Sequence, residues 1–393
     1  MVRTGESPKL NELPREIIIM ILNYIPSEEL WQNIRKTCRL FHDLLLHSYF
    51  WFNRTQCLGF EPRLCGIGDD SLHIIRCCID LEKQRKLWTK ERLGQYLSAL
   101  GHTATVDALQ FFSSSDGSRF CVSGSRDRSL VLWDIENMVV NEKVVWKVAT
   151  YDLAHQGWIW SVSVSDSEIF CSCGWDRCVK RWQIAKGSME VTNSTVCSGT
   201  VLRVLCDKDT VFYSTFDRKV GLMDARLGLN IVAEAKFHKD SVLDLAHLQN
   251  SPYLYSCGED SRILCIDQRT WKVVKSLKLP ASPRTLSLDA QSLLCGTADG
   301  KMITLDVENF TCVGEVIASP LCQVLQVQLT PACQICITRE RGFCMYTAGK
   351  KPTLLAESND FETELARVNR FFDLHNDDLA ITCGDGQIMF WVH

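Results

Sequence analysis

Long apolar runs, strong net charge and a signal peptide are all absent from this sequence. No apolar run reaches the roughly 20 residues that a membrane-spanning helix requires. The net charge is only −4 over 393 residues, which provides no general attraction to nucleic acid. The charged N-terminus has no apolar core of the kind that targets secretion. We therefore expect a soluble protein of the cytoplasm, the nucleus or both, with neither a membrane nor a nucleic-acid partner.

Catalytic and metal-binding motifs are missing as well. The sequence has no HExxH, no glycine-rich phosphate loop after a strand and no GxSxG elbow. Its one CxxC, Cys333 to Cys336, has neither a second pair nor histidines at ligand spacing, which argues against zinc. Many of the 20 cysteines lie in apolar runs, where a thiol behaves as a small buried hydrophobic group: Cys121, Cys171, Cys173, Cys257, Cys295, Cys336 and Cys383. We predict no catalysis, no cofactor and no metal, and expect reduced core thiols.

A repeating phrase is the strongest feature that the sequence does contain. Gly124-Ser125-Arg126-Asp127, followed by Trp133-Asp134, recurs in altered form down to the last residues. Seven such units are spaced 39 to 49 residues apart, centred on turn acids at Asp127, Asp176, Asp217, Asp260, Asp299, Glu340 and Asp385. Each unit reads as four short apolar runs separated by turns, which predicts one blade of a β-propeller.

The first and last units predict how the propeller closes. In unit one the four runs are residues 106–111, 120–123, 130–133 and, more weakly, 143–146. The last unit stops at His393, inside its third run, and so lacks an outer strand. An open strand edge favours aggregation. We therefore predict that the apolar segment near 93–100 supplies that strand, which makes 93–393 a closed seven-bladed propeller.

These units resemble WD repeats over about three quarters of the chain. Gly101-His102, Asp127 and Trp133-Asp134 give unit one nearly the consensus pattern, whereas Met223, Leu305 and Tyr346 stand at the Trp position of units three, five and six. The resemblance implies a hydrogen-bonded network inside each complete blade, with these candidate members: His102, Ser123, Asp127, Trp133, His155, Asp176, Trp182, His238 and Asp260. Buried carboxylates and imidazoles need partners, so we interpret these residues as structural.

Residues 8–52 have helical periodicity instead. Leu13-Pro14 opens the first helix, Pro26 ends it, and Ser27 is placed to cap a second helix. From Leu13 to Trp51 the pattern resembles an F-box, which implies a Skp-type adaptor as partner. The candidate adaptor contacts are Leu13, Pro14, Ile17, Ile21, Leu22, Pro26 and Leu30. Some of these residues could equally form the core of the module.

Residues 53–92 connect the two modules. Residues 72–93 predict a helix whose basic residues face solvent: Lys83, Arg85, Lys86, Lys90 and Arg92. We expect this helix to act as a stiff spacer between the F-box and the propeller.

An F-box joined to a WD propeller resembles the substrate receptors of SCF-type (Skp–cullin–F-box) ubiquitin ligases, and units with Gly258-Glu259-Asp260 look most like the F-box/WD repeat-containing protein 9 group. The resemblance implies a non-catalytic adaptor, with cullin and RING subunits and a protein substrate as further partners. The alternative is a scaffold whose F-box–adaptor complex assembles no ligase.

A substrate is expected on the top face of the propeller. The candidates flank the inner strands and the turn acids there: Arg126, Trp158, Trp160, Trp175, Phe216, Arg284 and Arg367. Trp and Arg are the most common interface anchors. The three arginines could bind a phosphorylated segment, but Asp107 and Glu259 are predicted on the same face. An aromatic patch and a phosphate site therefore both stay open.

Overall fold

The structure, a computed structural model, describes most of the chain. The described ranges are 13–59, 70–89, 93, 95–140, 147–166, 168–185, 187–338, 341–349, 351–358, 368–375 and 377–392. In these ranges no helix is both long enough and apolar enough to cross a membrane. The architecture is a short helical region followed by a seven-bladed propeller, so the predicted fold class is confirmed.

Four helices and one 3-10 turn form the first module. They are α1 (Arg15–Leu22), α2 (Ser27–Gln32), the 3-10 turn Ile34–Lys36, α3 (Arg39–Leu46) and α4 (Ser48–Cys57). Their core is built around Trp51, whose indole Nε1–H donates to the Leu45 carbonyl at 2.7 Å. A buried indole needs such an acceptor, and this bond joins α4 to the end of α3.

Helix α5 (Asp70–Leu87) belongs to two cores at once. Ile74, Ile75 and Cys78 pack into the helical module, whereas Cys77 and Leu81 pack against blades 6 and 7. The expected solvent-facing basic side is also partly engaged, because Lys83 pairs with Asp377 and Arg85 donates to the Leu58 carbonyl. Lys90 and Arg92 lie outside the described residues. The helix is therefore packed on both sides and connects the helical module with blades 6 and 7.

Seven four-stranded antiparallel sheets make up the propeller. Blade 1 contains β2 (Val106–Ser113), β3 (Arg119–Ser125), β4 (Leu130–Asp134) and β5 (Lys147–Tyr151). Blade 2 contains β6 (Ile159–Asp166), β7 (Ile169–Gly174), β8 (Cys178–Ala185) and β9 (Ser188–Val196). Blade 3 contains β10 (Val201–Asp207), β11 (Thr210–Thr215), β12 (Lys219–Asp224) and β13 (Asn230–Lys236), with a 3-10 turn at Ala225–Leu227.

The remaining blades follow the same order from the inside outwards. Blade 4 contains β14 (Val242–His247), β15 (Tyr253–Gly258), β16 (Arg262–Asp267) and β17 (Lys272–Lys278). Blade 5 contains β18 (Pro283–Leu288), β19 (Ser292–Thr297), β20 (Lys301–Asp306) and β21 (Cys312–Ile317). Blade 6 contains β22 (Val324–Leu329), β23 (Cys333–Thr338), β24 (Gly342–Thr347) and β25 (Leu354–Glu357). Blade 7 contains β26 (Val368–His375), β27 (Asp378–Cys383) and β28 (Gln387–Trp391).

The outer strand of blade 7 is β1 (Leu97–Leu100), which precedes blade 1 in the chain. It pairs antiparallel with β28, with Leu97 opposite Phe390 and Leu100 opposite Gln387. The indole of Trp391 also donates to the Leu93 carbonyl at 3.1 Å. Both ends of the propeller sequence therefore meet in one sheet.

Side chains of the inner strands tie each blade to the next. Gln110 of blade 1 accepts a hydrogen bond from the Val164 amide of blade 2 at 2.9 Å. At the other end of the circle, Asp373 of blade 7 accepts from the Phe111 amide of blade 1 at 2.8 Å. These bonds occupy backbone amides of an inner strand edge that would otherwise stay unpaired.

Two local predictions are corrected by the structure. The outer strand of blade 1 is Lys147–Tyr151 rather than 143–146, because helix α6 (Ile135–Val140) follows β4 and moves the strand further along; residues 141–146 are outside the described ranges. Ser27 does not cap α2 with its side chain, since its hydroxyl and its amide both donate to Glu82 of α5. The position before the helix is occupied by Pro26.

Candidate protein-binding surfaces

The polar network in blade 1 is a chain of hydrogen bonds that connects four side chains. The Trp133 indole N–H donates to Ser123 Oγ at 2.8 Å, and Ser123 Oγ lies 2.8 Å from His102 Nε2. His102 Nδ1 lies 3.1 Å from Asp127 Oδ2. Since an indole can only donate and a carboxylate only accept, Ser123 Oγ accepts from Trp133 and His102 Nδ1–H donates to Asp127.

The same network recurs where the sequence is complete. In blade 2, His155 joins Asp176 to Ser172, which accepts from the Trp182 indole. In blade 4, His238 joins Asp260 to Ser256 without a tryptophan. Each network fixes the turn between the second and third strands, and leaves these residues no free group for chemistry.

The pKa shifts agree with structural roles. Burial alone would raise the pKa of Asp127, but hydrogen bonds from His102 and Ser129 outweigh it and hold that pKa well below its usual range. The pKa of Asp260 is also lowered, by the Lys239 amide and by His238, against the effect of burial. Burial lowers the pKa of His238, which favours its neutral form.

The described turns between the second and third strands of the blades define what we call the top face of the propeller. In blade 2 the Trp175 amide, just before the turn acid, donates to the Trp158 carbonyl at 2.9 Å, just before the inner strand. The equivalent bond in blade 3 joins the Phe216 amide to the Thr200 carbonyl. Gly174 permits this close approach, because a Cβ there would lie 2.1 Å from the Trp158 carbonyl oxygen.

Four aromatic side chains meet on this face, which we call the aromatic cluster: Trp158, Trp160, Trp175 and Phe216. The Trp175 ring lies 5.6 Å from Trp158, 5.9 Å from Trp160 and 6.4 Å from Phe216, measured between ring centroids. Trp158, Trp175 and Phe216 are 44%, 42% and 55% exposed. Together they form a contiguous exposed apolar surface on this face.

Arg126 covers part of the aromatic cluster. Its guanidinium carbon lies 5.0 Å from the Trp158 centroid and 5.6 Å from that of Trp160, within cation–π range. The same guanidinium is paired with the buried Asp107, at 2.6 and 3.2 Å. The structure thus brings five predicted substrate residues together across blades 1 to 3.

The other two arginines of the predicted substrate site do not join this group. Arg284 of blade 5 lies 3.4 Å from Glu259 of blade 4, and Arg367 lies outside the described residues. Since Arg126 is neutralised by Asp107 in the same way, the two described arginines already have carboxylate partners. This arrangement disfavours a phosphate site built from them.

A second exposed apolar surface lies on α1. Ile17, Met20, Ile21 and Tyr24 follow one another at helical spacing and point away from the module core, with Pro14 exposed beside them. We call these five residues the F-box face. Tyr24 is 89% exposed and Met20 58%. The opposite side of α1 buries Ile18 and Leu22, so this short helix has two apolar sides.

Two predicted adaptor contacts are corrected. Leu22 and Leu30 are 2% and 0% exposed and belong to the core of the helical module, so they cannot form its surface. Leu13 is half-buried against that core, whereas Pro26 is exposed. Sequence reasoning missed Met20 and Tyr24 as exposed residues of the same face, although their spacing from Ile17 was the available signal.

A buried ion pair holds α5 against the helical module. Arg54 Nη2 lies 2.7 Å from Glu82 Oε1, and Arg54 Nε donates to Ser27 Oγ at 2.6 Å. The remaining guanidinium hydrogens point at the carbonyls of Leu22, Asn23 and Ile25, near the end of α1. One side chain thereby joins α1, α2, α4 and α5.

Comparison with known proteins identifies both modules. The family model described as F-box-like matches residues 10–57, and the model described as WD domain, G-beta repeat matches 94–134, 147–183 and 230–267. The molecule is therefore a helical F-box module followed by a WD-repeat propeller. These are the two modules of the F-box/WD-repeat proteins, which this chain resembles and which are in general non-catalytic adaptors.

Named relatives agree with this assignment. The F-box/WD repeat-containing protein mec-15 of Caenorhabditis elegans is 29% identical over 98% of this chain and 97% of its own length. The F-box/WD repeat-containing protein 9 of Homo sapiens is 27% identical over 76% of this chain and 65% of its own. The WD repeat and SOCS box-containing protein 1 of Homo sapiens is 30% identical over 35% of this chain and 30% of its own. The chain thus spans a little under two thirds of the F-box/WD repeat-containing protein 9 relative.

Proposed function

We propose that this chain is the substrate-recognition subunit of an SCF-type ubiquitin ligase. The F-box face binds a Skp-type adaptor, through which cullin and RING subunits join, and the top face of the propeller binds the protein substrate. The observation that carries the proposal is the presence of two separate exposed apolar surfaces, one on each module, connected through α5. This role places the chain in the cytoplasm, the nucleus or both.

In this proposal the chain contributes to ubiquitin transfer by positioning the substrate. In the complete blades, histidine, serine and aspartate side chains that could take part in catalysis are instead hydrogen-bonded in the networks around His102, His155 and His238. In the described residues no group of three or more His, Cys, Asp or Glu side chains could hold a metal ion. Tethering a substrate near a ubiquitin carrier raises its effective concentration, and this gain needs no bond-making by the receptor.

One variant for each surface tests whether the F-box face and the aromatic cluster bind different partners. Ile17→Asp with Ile21→Asp places charge on the F-box face without touching the module core, because both side chains point outward. We expect this variant to lose the Skp-type adaptor in co-purification while it retains substrates found by proximity labelling.

The reciprocal variant carries Trp158→Ala with Trp160→Ala. We expect it to keep the adaptor and lose the substrates, since it removes two members of the aromatic cluster. Each variant is the folding control of the other. Loss of both partners in either variant, or of neither, would contradict the assignment of the two surfaces.

The scaffold alternative shares the same two surfaces and differs in one partner. A scaffold would hold the adaptor without a cullin, whereas a ligase receptor brings both. Blotting the purified complex for the cullin therefore separates these two roles.

A further inference from the structure

Three arginines lie at the turns of blades 1, 2 and 3, the blades that carry Arg126 and the aromatic cluster. Arg128, Arg177 and Arg218 directly follow the turn acids of blades 1, 2 and 3, and all three are exposed. We call them the outer arginines. The same position in three other blades carries a small uncharged residue: Ser261, Gly300 and Gly386. Blade 6 carries Arg341 at this position, but that arginine is paired with Glu357 at 3.6 Å. Among the described residues, arginines without such a partner therefore occupy this position in blades 1 to 3, which carry Arg126 and the aromatic cluster.

Backbone geometry does not explain arginine at this position. The φ angles of Arg128, Arg177 and Arg218 are 72°, 65° and 77°, in the left-handed region that favours glycine. Blades 5 and 7 form the same turn with Gly300 and Gly386. Three turns in adjacent blades thus carry a long basic side chain at a position whose backbone conformation favours glycine.

The charge of the outer arginines is not compensated by their neighbours. The preceding Asp127 and Asp176 turn into the blades toward His102 and His155, and their side chains are 12% and 6% exposed. In blade 3 the acid is paired with Lys219 at 3.9 Å. Within the described part of the chain, none of the three outer guanidinium groups forms an ion pair or side-chain hydrogen bond. Arg126, in contrast, is fully paired with Asp107.

We infer that blades 1 to 3 bind an acidic, unphosphorylated peptide segment of the substrate. A bulky apolar side chain of that segment packs on the aromatic cluster, and Asp or Glu side chains on either side pair with the outer arginines. Free positive charge around an apolar centre is complementary to that pattern of residues. The inference rests on the proposed function, in which the top face captures a protein.

Phosphate is the less suitable ligand for this surface. A phosphate is best held by arginines that converge on it as a bidentate clamp. Arg126 and Arg284 are already paired with the carboxylates of Asp107 and Glu259. The outer arginines lie on three separate turns. Three guanidinium groups on separate turns can each pair with a different Asp or Glu side chain of a peptide, which suits them better to several carboxylates than to a single phosphate group.

The first test uses random short peptides displayed on phage and the full chain purified with its adaptor. Selected peptides should combine one aromatic or large aliphatic residue with two or more nearby Asp or Glu residues. Enrichment of basic or uncharged peptides would overturn the inference, and so would the absence of any enriched peptide. Adaptor co-purification is scored separately, so a failed adaptor contact would count against the proposed function alone.

The second test measures a selected peptide against variants of the full chain. Combined Arg128→Glu, Arg177→Glu and Arg218→Glu should weaken binding by about tenfold or more and reverse its salt dependence, because salt then screens a repulsion between acids. Trp175→Ala should weaken binding to a similar degree but leave the salt dependence in place. Equal binding by either variant and the wild type would overturn the inference.

Matched controls lie at the opposite end of the blades. Arg269→Glu changes the same charge at an exposed turn after β16, and Tyr253→Ala removes a partly exposed aromatic side chain at the start of β15. Both should bind the peptide as the wild type does. A copy of the peptide with phosphoserine in place of one acid should bind within a few-fold of the original; more than about tenfold tighter binding would establish a phosphate site instead.

Discussion

Replacing Arg54 with methionine should open the F-box module locally and leave the propeller folded. Arg54 is buried and donates to Glu82, to Ser27 and to backbone carbonyls at the end of α1. Its removal leaves the Glu82 carboxylate, only 16% exposed, without its cation. Removing one partner of a buried ion pair typically costs about 3–5 kcal/mol. A helical module of this size has little stability in reserve, so the change should be visible as local opening.

Hydrogen-exchange mass spectrometry of the full chain measures that opening by segment. A loss of about 3–5 kcal/mol predicts amide exchange in α1 and α2 that is faster by roughly two to four orders of magnitude. Exchange in blade 4 should be unchanged. Arg54→Lys should give an intermediate result, because lysine keeps the charge but not the planar fork that serves several acceptors.

The double variant Arg54→Met with Glu82→Met isolates the ion pair. It removes both charges, so it should recover much of the protection that the single variant loses. Unchanged exchange in Arg54→Met would refute the claim that this pair holds the module to α5. A double variant no better protected than the single variant would refute the argument from unpaired charge.

Three further outcomes follow from the networks and from the α5 contact. Ser123→Ala should lower the free energy of unfolding in urea by about 2–3 kcal/mol, because it leaves the Trp133 indole and a histidine nitrogen unpaired in a buried site; a loss below about 0.5 kcal/mol would contradict the network. His238 has a lowered pKa in the folded protein, so the unfolded chain takes up the proton first as pH falls below about 6.5; stability should decrease from pH 7 to 5, and less steeply in His238→Asn. An equal slope in that variant would contradict the burial argument. Asp80→Ala removes the acceptor of the Thr330 hydroxyl and should speed exchange in α5 while α1 stays protected; an unaffected α5 would show that this contact does not hold the helix on the propeller.

The periodic part of the fold could be predicted because local chemistry repeats. Each complete unit carries its own histidine, serine and turn acid, and the network of His102, Ser123 and Asp127 closes within about 25 residues of chain. Repeat units that lack consensus residues are harder to interpret. In blade 3, Met223 stands at the tryptophan position, and Tyr213 instead donates to Glu234 at 2.8 Å. Tyr213 stands at the strand-serine position of the network, and Glu234 lies in the outer strand, where the repeat has no network member, so no spacing rule predicts their contact.

The adaptor surface was predictable only in part, since α1 is apolar on two sides. Periodicity identifies apolar residues but does not say which side meets the module core and which stays exposed, so Leu22 and Leu30 were assigned to the surface. Ser27 was assigned as a cap for a related reason. Its partner, Glu82, is 55 residues further along the chain, and local sequence carries no sign of that contact.

Purification of the intact chain from cells, followed by blotting for the Skp-type adaptor and for a cullin, tests the central claim most directly. The account predicts both proteins with the wild type and with Trp158→Ala/Trp160→Ala, and neither with Ile17→Asp/Ile21→Asp. Adaptor without cullin in the wild type would contradict the ligase role, and adaptor retained by the Ile17→Asp/Ile21→Asp variant would contradict the F-box face.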